Sequence, residues 1–278
     1  MNRIRRGLLL PILSLGLTAV PGNVGAQCDP DADWTVYQPT GEVSEIVVQG
    51  NRAWIAAAGG IIRADLGDGV ETQDKITDVE GLASTDVTCM VADGFGNVWV
   101  GTREDGVTVL DADGNHVADL TSFDELYSDR VTAMGAHGER VVVVSVDDFS
   151  PSGAPEGGGF VIIEIGTDGS GFTFTPRIGG DLEVGQDVLV RGSDIWFGTS
   201  GQGLWVRDET VEPVELRQEL TQADGLSSAN VKKMVEAPHH DLSGDQVLWI
   251  GTGAGLQTYD PDTGSLEIVP GFETQNVL

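Results

Sequence analysis

Asn97-Val98-Trp99-Val100-Gly101-Thr102 is one copy of a short apolar pattern that returns along the chain. Two more copies are Asp194-Ile195-Trp196-Phe197-Gly198-Thr199 and Val247-Leu248-Trp249-Ile250-Gly251-Thr252. A looser one is Arg52-Ala53-Trp54-Ile55-Ala56, and Arg140-Val141-Val142-Val143-Val144-Ser145 keeps the strand without the indole. With Val142 as the marker of that copy, the spacings are 45, 43, 54 and 53 residues. A period of about 40 to 50 residues, with short strands and frequent turns, is the signature of propeller blades.

The parts around each copy keep one order. An apolar strand precedes it, as in Val87 to Val91 or Val231 to Val235. A tight polar turn such as Asp93-Gly94-Phe95-Gly96-Asn97 leads into the Trp strand. A Gly-bearing turn then gives a third strand, as in Gly106 to Leu110, and a more polar fourth, as in His116 to Leu120. No stretch has a helical period. The expected fold is all-β: a β-propeller of about five four-stranded blades, or an incomplete ring of a larger propeller of six or seven. One such sheet cannot bury both faces, so each blade must stack on the next. The indoles are expected to fill the space between blades, since aromatic rings bury large areas. The Gly-Thr after them allows a close approach and a side-chain hydrogen bond. The expected repeats are 43–80, 81–125, 126–182, 183–222 and 223–270.

Ring closure is the open point of this reading. Trp34 to Tyr37, in the segment 27–42, reads as a leading outer strand whose three partners are missing. Gly271 to Leu278 reads as the start of another unit. An unclosed ring would leave blade faces and edges exposed.

The net charge is −29 over 278 residues, with a pI near 4.1. That balance argues against nucleic acid, whose phosphates draw on Lys and Arg, and against anionic lipid. It leaves cations, basic proteins and neutral glycans as partners, or solubility alone. At the N-terminus, Arg3, Arg5 and Arg6 precede an apolar run from Leu8 to Val20, and Val24-Gly25-Ala26 offers a cut site. Residues 1–26 therefore read as a signal peptide, which places the mature protein in the periplasm, outside the cell or at its surface, without membrane insertion after cleavage. Cys28 and Cys89 could pair after export, but Cys89 sits in an apolar strand and reads equally as a buried thiol.

The repeat resembles the two-component regulator propeller repeat. Gly225-Leu226-Ser227-Ser228-Ala229-Asn230-Val231, then Leu248 to Leu256, then Tyr259-Asp260-Pro261-Asp262-Thr263-Gly264 carry the likeness. Gly81-Leu82-Ala83-Ser84-Thr85-Asp86-Val87 with Val98 to Thr102 is the second match. The resemblance implies an extracytoplasmic sensor or free-standing exported propeller that binds rather than catalyses. The chain as given has no kinase domain, so signalling in cis is not expected.

Chemistry-bearing motifs are sparse. His116, His137, His239 and His240 are the histidines, and His239-His240 lies in an insertion. Asp111, Asp113 and Asn115 in Asp111-Ala112-Asp113-Gly114-Asn115 leave calcium as a candidate cofactor. However, His116 stands at the sixth position where a calcium loop needs Gly, and Asp with Gly is ordinary turn chemistry. No other cofactor is expected. The loops offer more. In a propeller the turns between second and third strands share a face with the links between blades. That face would hold Arg103, Glu104, Asp105, Asp147, Asp148, Ser200 and Gln202 as candidate ligand residues. The links add Asp78, Glu80, Asp86, Asp124, Glu125 and Asp129. The expected function is an exported binding module presenting an acidic face to a protein, glycan or cation. Two alternatives are a lyase resembling streptogramin lyase, which needs an axial His and metal, and a structural part of a cell-surface assembly.

Overall fold

The computed structural model describes residues 43–57, 59–66, 71–146, 158–167, 169, 171–177, 185–208, 216–239 and 245–272. The chain divides into residues 1–38 and 39–278, and everything below concerns the second unit. Residues 1–26, expected to be a signal peptide, and Trp34 to Tyr37, Cys28, Asp147, Asp148 and His240 lie outside the described residues.

The described strands form five antiparallel four-stranded sheets, each in sequence order. Blade 1 holds β1 (Val43–Gln49), β2 (Arg52–Ala57), β3 (Gly60–Asp65) and β4 (Glu71–Ile76). Blade 2 holds β5 (Val87–Ala92), β6 (Val98–Thr102), β7 (Val107–Leu110) and β8 (His116–Leu120). Blade 3 holds β9 (Val131–His137), β10 (Arg140–Val146), β11 (Gly158–Ile165) and β12 (Phe172–Arg177). Blade 4 holds β13 (Gly185–Arg191), β14 (Asp194–Thr199), β15 (Leu204–Asp208) and β16 (Leu216–Leu220). Blade 5 holds β17 (Val231–Pro238), β18 (Gln246–Thr252), β19 (Gly255–Asp260) and β20 (Ser265–Ile268). The first strands of successive blades touch one another, so they form the inner wall of a β-propeller of five blades.

The recurrent indoles face the next blade. Trp54 packs with Val87, Met90 and Val100 of blade 2. Trp99 packs with Val131, Met134 and Val143 of blade 3. Trp196 packs with Val231, Met234 and Ile250 of blade 5. Blade 3 has Val142 at this position, and the ring of Phe160 against Phe197, 4.7 Å apart, supplies the missing bulk.

The Gly-Thr that follows the indole has two separate jobs. A Cβ on Gly101 would stand 2.8 Å from Val131, and one on Gly198 would stand 2.7 Å from Val231. Real Cβ atoms do not tolerate such distances, so glycine is what lets the next inner strand approach. The threonine is buried and braces the turn into the third strand. Thr102 Oγ1 donates to Gly106 O and Thr199 Oγ1 to Gly203 O, both at 2.9 Å, while Thr252 Oγ1 donates to Gly255 O at 3.0 Å.

Three links share one construction. Thr77, Thr121 and Thr221 each donate their hydroxyl and backbone N–H to an acid three residues on: Glu80, Asp124 and Asp224. Two residues beyond each acid, Leu82, Leu126 and Leu226 are buried between blades. This is a capping box on a short turn, in which a side chain and a backbone amide satisfy each other.

Four hydrophobic clusters fill four of the five seams. Among the described residues none fills the seam between blades 5 and 1. Val47 packs toward blade 2, so strand alternation turns Ile46 and Val48 the other way, and they are 56% and 61% exposed. Across the seam, Val235 is 50% exposed and Trp249 is only half-buried. The side chains of Lys233 and Glu45 bridge the gap at the inner wall, 2.8 Å apart. Trp99→Ala is therefore expected to cost about 3–5 kcal/mol, and Trp249→Ala less than half as much. Urea denaturation followed by circular dichroism measures both.

Candidate functional site

All five inner strands carry the same irregularity, a β-bulge at the end that follows the link. The pairing skips one residue in each: Ser44, Thr88, Thr132, Gln186 and Lys232. A bulge leaves its extra residue out of the ladder and re-aims its side chain. Here the five extra residues line a central cavity of about 510 Å³, one from each blade. The result is a polar ring on the propeller axis.

The ring members differ in how they are held. Ser44 Oγ donates to Val87 O at 3.2 Å, and Thr88 Oγ1 donates to Val131 O at 2.9 Å, each reaching the next blade. Thr132 Oγ1 donates to Val144 O within its own blade at 3.3 Å. The side chains of Gln186 and Lys232 have no hydrogen-bond partner among the described residues. They are neighbours on blades 4 and 5, and they have the longest side chains of the five.

Below the ring lies a charged staple. The Asp187 carboxylate is buried, with 4% of the residue exposed. It accepts the Met234 N–H at 2.6 Å and the Lys233 ammonium at 3.1 Å. Lys233 also donates to Glu45 at 2.8 Å, so one ammonium ties blades 4, 5 and 1 together. Burial pushes the Asp187 carboxyl up to about 6, against the pull of Lys233. For Lys233, burial works to lower its pKa, but the charges of Asp187 and Glu45 outweigh it and hold the ammonium above the ordinary lysine range. Cys89 also lines the cavity. It is a buried free thiol, and burial pushes it up to about 12, which makes it a poor nucleophile.

Two further cavities open at the link-side mouth of this channel. One, of about 390 Å³, is lined by Thr88, Thr132, Gln186 and Lys232 of the ring together with Arg103 and Arg130. The other, of about 500 Å³, lies toward blade 1 and shares Thr88 and Arg103. Arg103 stands at the junction. Its backbone N–H donates to Asp86 O at 3.1 Å, and its Nε donates to the Asp86 carboxylate at 2.8 Å. The terminal nitrogens of Arg103 have no acceptor among the described residues. The turn that carries it is also pinned on its far side, because Gly106 N donates to Asp129 O at 2.8 Å.

Of the described residues nominated from sequence, Arg103 and the link acid Asp86 line these cavities. Glu104 and Asp105 follow it as exposed rim residues, and the Asp105 N–H is held by Thr102. Ser200 and Gln202 sit in the corresponding turn of blade 4, where the Gln202 N–H donates to Thr199 Oγ1. They share the link-side face but not the axial mouth. Several link acids have structural tasks: Glu80 and Asp124 cap, Asp86 holds Arg103, and Asp129 accepts the Ser122 N–H and hydroxyl.

Asp111 is committed to its own turn. It accepts the N–H groups of Asp113 and Asn115 and the Asn115 amide. Burial works to raise its pKa, but these donors hold it below the usual carboxylate range. Arg52 reaches Asp113 at 3.1 Å and also bonds Ala112 O, while Arg63 bonds Asp113 O. Guanidinium charge thus stands where a cation would be held. Among the described residues no group of three or more His, Cys, Asp or Glu side chains is set for a metal ion. The three described histidines do not line these cavities. His116 starts β8 and pairs with Asp119 at 3.0 Å, His137 ends β9, and His239 contacts Thr258 and Glu267 beyond β17.

The polar ring escaped the reading of the sequence, although it left a trace. The residue after the first Val or Gly of each inner strand is polar in all five repeats. In a regular strand that position would alternate onto a sheet face, and only the bulge brings it to the axis.

The buried carboxyl gives a pH test. Asp187 has a folded pKa near 6, above the usual value of about 3.9 for an unfolded chain. Between those values the folded state binds the extra proton, so this group's contribution to stability falls as pH rises through the window. The stability of the native protein relative to Asp187→Asn is expected to decline between pH 4 and 6, by at most about 1.4 kcal/mol per pH unit. It should be flat above that range. Chemical denaturation of both proteins across the range measures it.

Comparison with known proteins agrees with this architecture. Residues 81–104 match the family model described as two component regulator propeller. No curated protein matches the chain. Among solved structures, the extracellular domain of the putative hybrid two component system BT4673 from B. thetaiotaomicron superposes with a TM-score of 0.58 at 18% identity, over 84% of this chain and 28% of that one. The corresponding domain of BT3049 from B. thetaiotaomicron gives 0.56 at 14% identity, over 84% and 30%. YCF48 bound to D1 peptide gives 0.52 at 15% identity, over 83% and 67%. The chain thus spans under a third of the length of the two regulator domains. Among the described residues no helix is long and apolar enough to cross a membrane. The family match thus places one two-component regulator propeller repeat, at residues 81–104, on a five-bladed β-propeller.

Proposed function

We propose that this protein is an exported, non-catalytic propeller of the sensor type, and that it takes its ligand at the link-side mouth of the axial channel. The observation that carries this reading is the bulge repeated in all five inner strands, which brings a polar side chain from every blade to one point. Pockets that hold small ligands are concave, mostly preformed and supplied with a few convergent polar groups. The mouth has those properties, and the loops around it are fixed by backbone hydrogen bonds to the links.

The coarse role draws support from the regulator repeat and from the extracellular regulator domains that share the fold. Export is supported by the basic and apolar N-terminal pattern. The exposed rim acids, Glu104 and Asp105, then act on what approaches the mouth, favouring basic proteins, cations or neutral glycans at the outer face. The lyase alternative draws no support from His116, His137 or His239, none of which lines these cavities.

A thermal-shift screen of small metabolites and glycans on the full chain tests the site. A ligand that raises the melting temperature of the native protein is expected to lose that effect in Gln186→Trp, whose ring would plug the mouth. A ligand that stabilises Gln186→Trp as well as the native protein would place binding elsewhere and overturn the assignment.

A further inference from the structure

The distribution of positive charge runs against the composition of the chain. Of fifteen Lys and Arg, three are Arg3, Arg5 and Arg6 of the N-terminal segment. Four of the remaining twelve, Arg103, Arg130, Lys232 and Lys233, line the axial cavities. The carboxylates that line the same cavities are fewer: Asp86, Glu45 and Asp187. Glu45 and Asp187 share Lys233, and Asp86 holds only the Nε of Arg103. In a protein of net charge −29, the 390 Å³ cavity at the mouth is lined by Arg103, Arg130 and Lys232 and, among the described residues, by no carboxylate.

From this we infer that the mouth binds a small organic acid through an oxyanion group, with Lys232 as its principal charge partner and Arg103 and Gln186 as further donors. The inference rests on the site proposed above and names its ligand class. Lys232 is the extra residue of its bulge, has no acceptor among the described residues and shares the 390 Å³ cavity with Gln186 and Arg103. The terminal nitrogens of a guanidinium match the spacing of carboxylate, sulfate or phosphate oxygens. An amide beside them adds a donor without adding charge. The cavity volume lies in the range of about 300–1,000 Å³ that suits small molecules. The surrounding acidic surface repels polyanions, so a compact mono- or dianion fits where a nucleic acid or a long acidic chain does not.

Titration calorimetry at low ionic strength with four related probes separates the chemistry: glucuronate, glucose 6-sulfate, glucose 6-phosphate and neutral glucose. At least one anionic probe is expected to bind the native protein tenfold or more tighter than glucose, and the strongest names the oxyanion. Lys232→Met is expected to weaken that probe about tenfold, which is ~1.4 kcal/mol, and Lys232→Arg to restore most of the loss. Lys75→Met, on β4 and away from the mouth, is expected to change nothing. Thermal unfolding of each variant confirms its fold. Equal binding of all four probes, no binding of any, or an anion affinity untouched by Lys232→Met would overturn the inference. If a neutral ligand binds and is lost in Gln186→Trp, the site stands and only its anionic character falls.

Discussion

The fold depends on one packing relation, repeated with variations: an indole on the second strand of a blade lies against the bulged first strand of the next. The two halves of the relation need each other. The ring supplies the buried area that holds two sheets together, and the glycine two residues later removes the Cβ that would otherwise meet the incoming valine. A larger residue at Gly101 or Gly198 would push the blades apart at their inner edge. The threonine after each glycine then fixes the turn that carries the loop face, and the link leucines close the seam from above. Blade 3 shows that the indole is one way to fill this volume, since Phe160 and Phe197 do it between blades 3 and 4.

The site is a by-product of that same packing. A first strand that must lie against both its own second strand and the preceding blade is bulged in every repeat, and the bulge frees one side chain per blade. Three of these side chains are short hydroxyls that hydrogen-bond back to the backbone and finish the inner wall. The other two, Gln186 and Lys232, are too long for that role and stand where five blades converge. The scaffold and the proposed ligand contacts are therefore made by the same structural position, with residue size deciding between them.

The acidic composition also looks different once the turns are seen. Glu80, Asp111, Asp224 and Asp260 all have their pKa held low, chiefly by hydrogen bonds from nearby Thr, Asn and backbone groups. Asp93 is buried and accepts the Trp99 indole N–H at 2.9 Å together with two N–H groups of its own turn. Many carboxylates are thus turn and cap acceptors, which a protein built from some twenty short strands needs in number. The exposed acids that remain set the long-range field, while Arg103, Arg130 and Lys232 gather at the axial mouth.

The sequence by itself determined the repeat and the all-β class, and it left five blades or a part of a larger ring open, because the period-two strands, the turn glycines and the spaced indoles are local properties that survive without tertiary context, whereas closure is not. It also marked Arg103 and the link-side face, since antiparallel order alone puts those loops together. What only the tertiary structure decided was the axis. A residue such as Lys232 reads in sequence as one more polar position beside an apolar strand, and its direction depends on a bulge fixed by the neighbouring blade. Asp187, Lys233 and Glu45 come from three repeats and meet only when the ring bends round to bring blade 5 to blade 1. The seam beside them, which no described residues fill, was likewise settled in space, because burial is a property of what packs against a face and the face alone does not record it.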